Sequence, residues 1–141
     1  MKLEQELEVM EDTLMKMGQR VLSMHTQVIK ILETPNKQEA LKIIQADERI
    51  NQLEEEINDQ AVQLLALLSP VASDLRKVVA NIKIACELER IGDYAKNIAR
   101  FLLRYDDLAP CIRSYAQEME NGFVQLLEET LDCYLAKDAE T

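Results

Sequence analysis

The chain has 141 residues, 48% of them hydrophobic and 30% charged, with three glycines, three prolines, no tryptophan and 4% aromatics. This composition excludes a turn-rich all-β sandwich and fits one compact helical domain. Sixteen basic against 26 acidic residues give a net charge of −10 at pH 7, a field that repels phosphate backbones and argues against nucleic acid as a direct partner.

Four helices are predicted in chain order. The first runs from about Leu3 to Glu33, where Leu7, Met10, Leu14, Met17, Val21, Met24, Val28 and Ile31 recur by threes and fours. That spacing marks the methionines as packing residues. The sole histidine, His25, lies among them and reads as structural, because one histidine builds neither a histidine-dependent triad nor an HExxH site. Pro35 ends this helix, and Asn36 with Glu39 three residues on caps the second, Lys37 to Leu68. Ser69 and Pro70 are expected as N-cap and first-turn proline of the third. It continues to about Tyr105, with Gly92 as its weak point and Cys86 as a small buried hydrophobe. "DDLAP" (106–110) breaks the chain again, and the last helix runs to about Ala136. Long helices on short connectors imply an all-α antiparallel helix bundle.

The three cysteines show no CxxC spacing, which argues against a disulfide framework or a thiolate zinc site and for a reducing cytosol. The acidic, amphipathic start is unlike a signal peptide, and the longest apolar run, "LLALL" (64–68), is far too short for a bilayer. A soluble protein is expected. Residues 21–37 also lie over residues 123–139 with their apolar positions largely matched, as if the chain began a second copy of its first unit.

The acids are the candidate chemistry. With Ile82 as the core direction and about 100° per residue, Leu75, Glu89 and Asp93 project within roughly 20° of it. On the second helix Asp47 and Glu54 lie roughly 40–60° from the stripe of Ile43, Ile50, Ile57, Ala61, Leu64 and Leu68, with Asn51 further round. One reading is a solvated acidic face, with Glu89 paired to Arg76 or Arg90. The other is a ligand site, because buried carboxylates need a cation or a proton. Gly92 adds to the second reading: it costs about 1 kcal/mol against alanine in a helix, which points to close approach of a backbone or access for a ligand. Carboxylate and amide oxygens on facing helices suit hard metals such as Mg, Mn or iron.

The stretch "SPVASDLRKVVANIKIACELERIGDYAKNIA" (69–99) carries Pro70, Asp74-Leu75-Arg76 and the run from Glu89-Arg90-Ile91-Gly92-Asp93 to Asn97-Ile98. In these residues the chain resembles the PhoU family of bacterial phosphate-uptake regulators. "ADERINQLEEEINDQAVQLLAL" (46–67) is similar to the family's second helix and "MGQRV" (17–21) to its first. The resemblance implies a spectrin-like three-helix unit at residues 1–105 and the first helix of an incomplete second unit at 106–141. It implies a divalent or trivalent metal ion, iron, zinc or manganese, held by Asp47 and Asn51 from helix two and Glu89 and Asp93 from helix three. Glu54, Asp74 and Asn97 are expected in support, since DxxxN offers one carboxylate fewer than DxxxD.

The resemblance further implies a cytoplasmic, non-enzymatic negative regulator of the phosphate-starvation response. Its expected partners are the ATPase subunit of a phosphate ABC transporter and a sensor histidine kinase, with the membrane reached only through them. Two alternatives stand beside this: an accessory domain of a sodium–phosphate symporter, and a carboxylate-bridged metal enzyme, whose usual ExxH pairs are missing here. The fourth helix is expected to leave Phe123, Leu126, Leu127, Leu131 and Tyr134 short of partners, so a homo-oligomer, most simply a homodimer, is expected.

Overall fold

The computed structural model describes residues 2–105 and 107–140, with side chains through Tyr134 on the last helix. It contains α1 (Lys2–Glu33), α2 (Lys37–Leu68), α3 (Ala72–Arg104) and α4 (Pro110–Glu140). The all-α bundle read from the sequence is the observed fold, and no helix among the described residues is long and apolar enough to cross a membrane.

The connectors show why the helices stop where they do. Asn36 caps α2 as expected: its Oδ1 accepts from the backbone N–H of Gln38 at 3.0 Å and of Glu39 at 3.2 Å, worth about 1 kcal/mol. The second connector differs from expectation. Ser69 is the C-cap of α2, in the left-handed region at φ 42° and ψ 63°, while Val71 takes the N-cap position of α3 without a side-chain bond. The ring of Pro70 excludes Ser69 from the right-handed helical region, so Ser69 closes one helix rather than opening the next.

The core follows one rule in all three first helices. Leu7, Met10, Leu14, Met17, Val21, Met24, Val28 and Ile31 of α1 are buried, and alternate by three and four. So do Ala40, Ile43, Asp47, Ile50, Ile57, Ala61 and Leu64 of α2, with Leu53 and Glu54 sharing one step. On α3 the buried line is Val78, Asn81, Ala85, Leu88, Gly92, Ala95, Ala99 and Leu102. A 3.5-residue repeat of this kind packs helices side by side at small crossing angles. α1 is the central helix, against α2, α3 and α4, and α2 and α3 close the triangle.

Three expectations on α3 are corrected by this line. Ile82 is only half-buried and Leu75 is exposed, so Glu89 and Asp93, in phase with Ile82, flank the core by roughly 70–110° rather than facing it. A straight 3.6-residue wheel drifts about 20° per heptad from a 3.5-residue seam, and starting it on a flanking isoleucine carries the error to the acids. Cys86 lies on the same outer side and is exposed. Gly92 admits neither a backbone nor a ligand: a Cβ built there would meet the side chains of Ile50 and Val21 at 3.5 Å.

α4 docks on a second row of α1, Gly18, His25 and Leu32, each seven residues apart and all buried. A Cβ on Gly18 would stand 2.7 Å from Leu131 Cδ2, so the missing side chain is what seats Leu131. Arg113 Nη1 donates to the C-terminal carbonyls of α1, Ile31 at 3.3 Å and Leu32 at 2.8 Å, where a cation also meets the negative end of the helix. Tyr134 Oη donates to Asn81 Oδ1 on α3 at 3.1 Å. The α4 row expected to lack partners is therefore largely covered: Leu127 and Leu131 are buried, Phe123 and Tyr134 pack against the core, and only Leu126 stays exposed.

Candidate metal centre

Asp47 occupies a core step of α2 between Ile43 and Ile50, and it is 3% exposed. Across the α2–α3 contact it meets Glu89 and Asp93, four residues apart on α3. One carboxylate oxygen of each of the three lies within 4.8 Å of the other two. Asp47 Oδ2 accepts from Lys96 Nζ at 3.3 Å and from Asn51 Nδ2 at 3.4 Å. Its other oxygen, Oδ1, is buried and has no hydrogen-bond partner among the described residues. Leaving a buried carboxylate oxygen unmet costs on the order of 1–3 kcal/mol or more.

Charge accumulates around Asp47. Glu89 is held above its ordinary pKa first by burial, then by Glu54, Asp93 and Asp47, with Arg90 opposing. Burial raises Glu54 as well. Arg90 forms its own ion pair with Glu87 at 3.6 Å. Four carboxylates thus gather where α2 meets α3, with Lys96 paired to Asp47 and Arg90 partly offsetting the charge at Glu89, so the cluster favours an added cation or a bound proton.

The donor set fits a hard metal ion. Three carboxylates from two packed helices offer only oxygen ligands, which suits manganese, magnesium or iron. Ligand oxygens around such an ion stand about 3 Å apart for bonds of about 2.1 Å. Glu89 and Asp93 are only half-buried, which leaves their side chains room to close on the fixed Asp47, while Lys96 is bonded to its other oxygen, Oδ2.

The remaining expected residues divide. Asn51 donates its amide to Asp47, and Asn97 Nδ2 donates to Asp93 Oδ2 at 3.4 Å, so both brace the carboxylates. Glu54 contributes charge at the border. Asp74 lies in the first turn of α3, 15 residues before Glu89, or about 22 Å along the axis, and does not support the cluster. Two features went unread in the sequence. Lys96 is the cluster's own cation, and its position seven residues after Glu89, on the same flank, is the signal that would have found it. His25 joins three helices: Nε2 donates to the Ile91 carbonyl at 2.7 Å, and Nδ1 lies 2.8 Å from Glu120 Oε2.

Comparison with known proteins follows the same residues. The sequence profile of the PhoU domain matches residues 14–102, more than half of the chain and including every member of the cluster. The phosphate-specific transport system accessory protein PhoU of Edwardsiella tarda is 33% identical over 94% of this chain and 55% of its own length. The homologue from Pseudomonas aeruginosa is 31% identical over 96% of this chain and 57% of its length. That from Caulobacter vibrioides is 40% identical over 70% of this chain and 44% of its length. The chain spans about half the length of the curated relatives it matches.

Proposed function

Because this chain belongs to the PhoU domain family, we propose that it is a non-enzymatic accessory regulator of phosphate transport whose acidic cluster holds a metal ion. Asp47, Glu89 and Asp93 are the ligands, with Glu54 at the border and Asn51 and Asn97 bracing. The reading is carried by buried Asp47, one of whose oxygens has no hydrogen-bond partner, beside two further carboxylates. An ion at this oxygen neutralises like charges on α2 and α3 and ties the two helices together, which makes the bundle's stability depend on metal supply. The partners proposed are the ATPase subunit of a phosphate ABC transporter and the sensor histidine kinase of the phosphate-starvation response. The setting proposed is the cytoplasmic side of the membrane, with regulation negative.

The test is elemental analysis of purified, dialysed protein beside the Glu89→Gln/Asp93→Asn variant, with helix content followed by circular dichroism. Stoichiometric manganese or iron in the wild type, lost in a variant that stays folded, is the expected result. Equal metal in both, or none in either even after incubation with excess manganese and ferrous iron, rejects the site. A phosphate-starvation reporter in cells tests the regulatory half separately: the same variant should leave it derepressed in high phosphate.

A further inference from the structure

Lys96 brings a cation of the chain's own to the carboxylate on which the proposed metal centre depends. Asp47 Oδ2 accepts from its ammonium at 3.3 Å, while Asp47 Oδ1 is buried and has no hydrogen-bond partner among the described residues. Lys96 stands one turn beyond Asp93 and seven residues beyond Glu89, so the flank of α3 that supplies two carboxylates also carries the ammonium. Its side chain is 22% exposed and that of Asp47 4%, so both have left most of their water and each needs the other's charge. The pair is nonetheless loose. Charge-assisted hydrogen bonds close to about 2.7–2.9 Å, and both contacts of Oδ2, Lys96 at 3.3 Å and Asn51 at 3.4 Å, are longer. Arg90, the other cation acting on Glu89, is more than half exposed and pairs with Glu87, so Lys96 is the cation set against the buried carboxylate.

We infer that Lys96 is a built-in competitor of the metal ion. In the metal-free protein its ammonium holds Asp47; an ion bound by Asp47, Glu89 and Asp93 drives the ammonium off Oδ2 toward solvent, and the site's affinity is lower by the work this takes. The inference rests on the reading of the cluster as a metal centre and adds what regulates it. An ammonium and a divalent ion on the two oxygens of one carboxylate are like charges a few ångströms apart. Their repulsion is worth on the order of ten- to a hundredfold in affinity even with solvent screening. The flexible four-carbon stem of lysine lets the ammonium retreat. The cluster therefore exchanges one cation for another, and a divalent ion fills it only against the resident lysine. The opposite role is that of a brace, in which Lys96 fixes Asp47 for the ion and raises the affinity.

Titration with manganese(II), followed by the paramagnetic resonance signal of the free ion, separates the two roles. Lys96→Gln keeps a donor for Asp47 and removes the charge, Lys96→Met removes both, and Lys96→Arg keeps the charge. The two neutral variants should bind manganese about ten- to a hundredfold more tightly than the wild type, and Lys96→Arg should stay close to it. Circular dichroism checks that each variant is folded. The wild type itself gives a second readout. Acetylation by acetic anhydride, followed at each lysine by mass spectrometry, should quicken severalfold at Lys96 when manganese is added and stay constant at the exposed Lys77. Unchanged affinity in both neutral variants overturns the inference. Weaker binding in them makes Lys96 a brace and overturns it as well, and so does a Lys96 whose acetylation manganese leaves unchanged or slows. In each of these cases the wild type still binds, and the metal centre stands. Binding by none of the four proteins rejects the metal centre itself and takes the inference with it.

Discussion

Gly92→Ala separates the two explanations of the glycine beside the acidic cluster. A Cβ at this position would stand 3.5 Å from Ile50 Cγ2 and from Val21 Cγ2, and 3.7 Å from Ile50 Cγ1. These are ordinary van der Waals distances, so the methyl enters without displacing backbone. Replacing glycine by alanine in a helix interior is worth about 1 kcal/mol. Burying the methyl adds up to about 0.8 kcal/mol. The expected gain is therefore about 1–2 kcal/mol. For 141 residues, an unfolding entropy of about 2.1 cal/mol/K per residue turns this into a rise in Tm of roughly 3–7 °C. Urea unfolding and thermal melts followed by circular dichroism measure both quantities, and metal content is determined on the same samples. A loss of stability would show that helix packing at Val21 and Ile50 is tighter than the contacts state. A stable variant stripped of metal would show that the ligand reaches the backbone at Gly92, and would refute the reasoning from the other side.

Three further outcomes are expected. Lys96→Met takes away the ammonium from buried Asp47; the apo protein should lose about 1–3 kcal/mol in denaturant unfolding, and manganese should restore part of it. Glu89→Gln probes the raised pKa of Glu89. As pH rises past the ordinary 4.5, the unfolded chain ionises before the folded one, so the stability this group confers is present below that value and lost through the raised folded pKa. The metal-free variant should accordingly be more stable than wild type at neutral pH, with the difference shrinking toward pH 4, in melts across the range. His25→Phe keeps the ring against Phe123, now 4.9 Å away between centroids, but removes both hydrogen bonds. It should cost about 1–3 kcal/mol, and hydrogen exchange should show α4 losing protection before α2 does.

The sequence by itself determined the helices, their breaks and the all-α bundle, because these rest on local properties. Pro35 cannot continue a helix, Asn36 caps the next from two residues away, and the three-and-four spacing of Leu7 to Ile31 repeats within each turn. It also brought Glu89 and Asp93 forward through the motif around Gly92, and Asp47 through the likeness of residues 46–67 to the family's second helix. Which way each helix turns its faces was decided by the tertiary structure, because the phase of a helix has meaning only against its neighbours. The small side chains of Ala85, Gly92, Ala95 and Ala99 let α3 approach α1 and α2 along their own line, and this moved Glu89 and Asp93 to its flank. Only there do they meet Asp47 with Lys96 between helices 49 residues apart in the chain. The seat of α4 is non-local in the same sense. Gly18 is open to Leu131 and His25 to Glu120, contacts between residues far apart in sequence that no periodicity within one helix encodes. Seating α4 by those contacts left Ile112, Tyr115, Met119 and Leu126 facing outward.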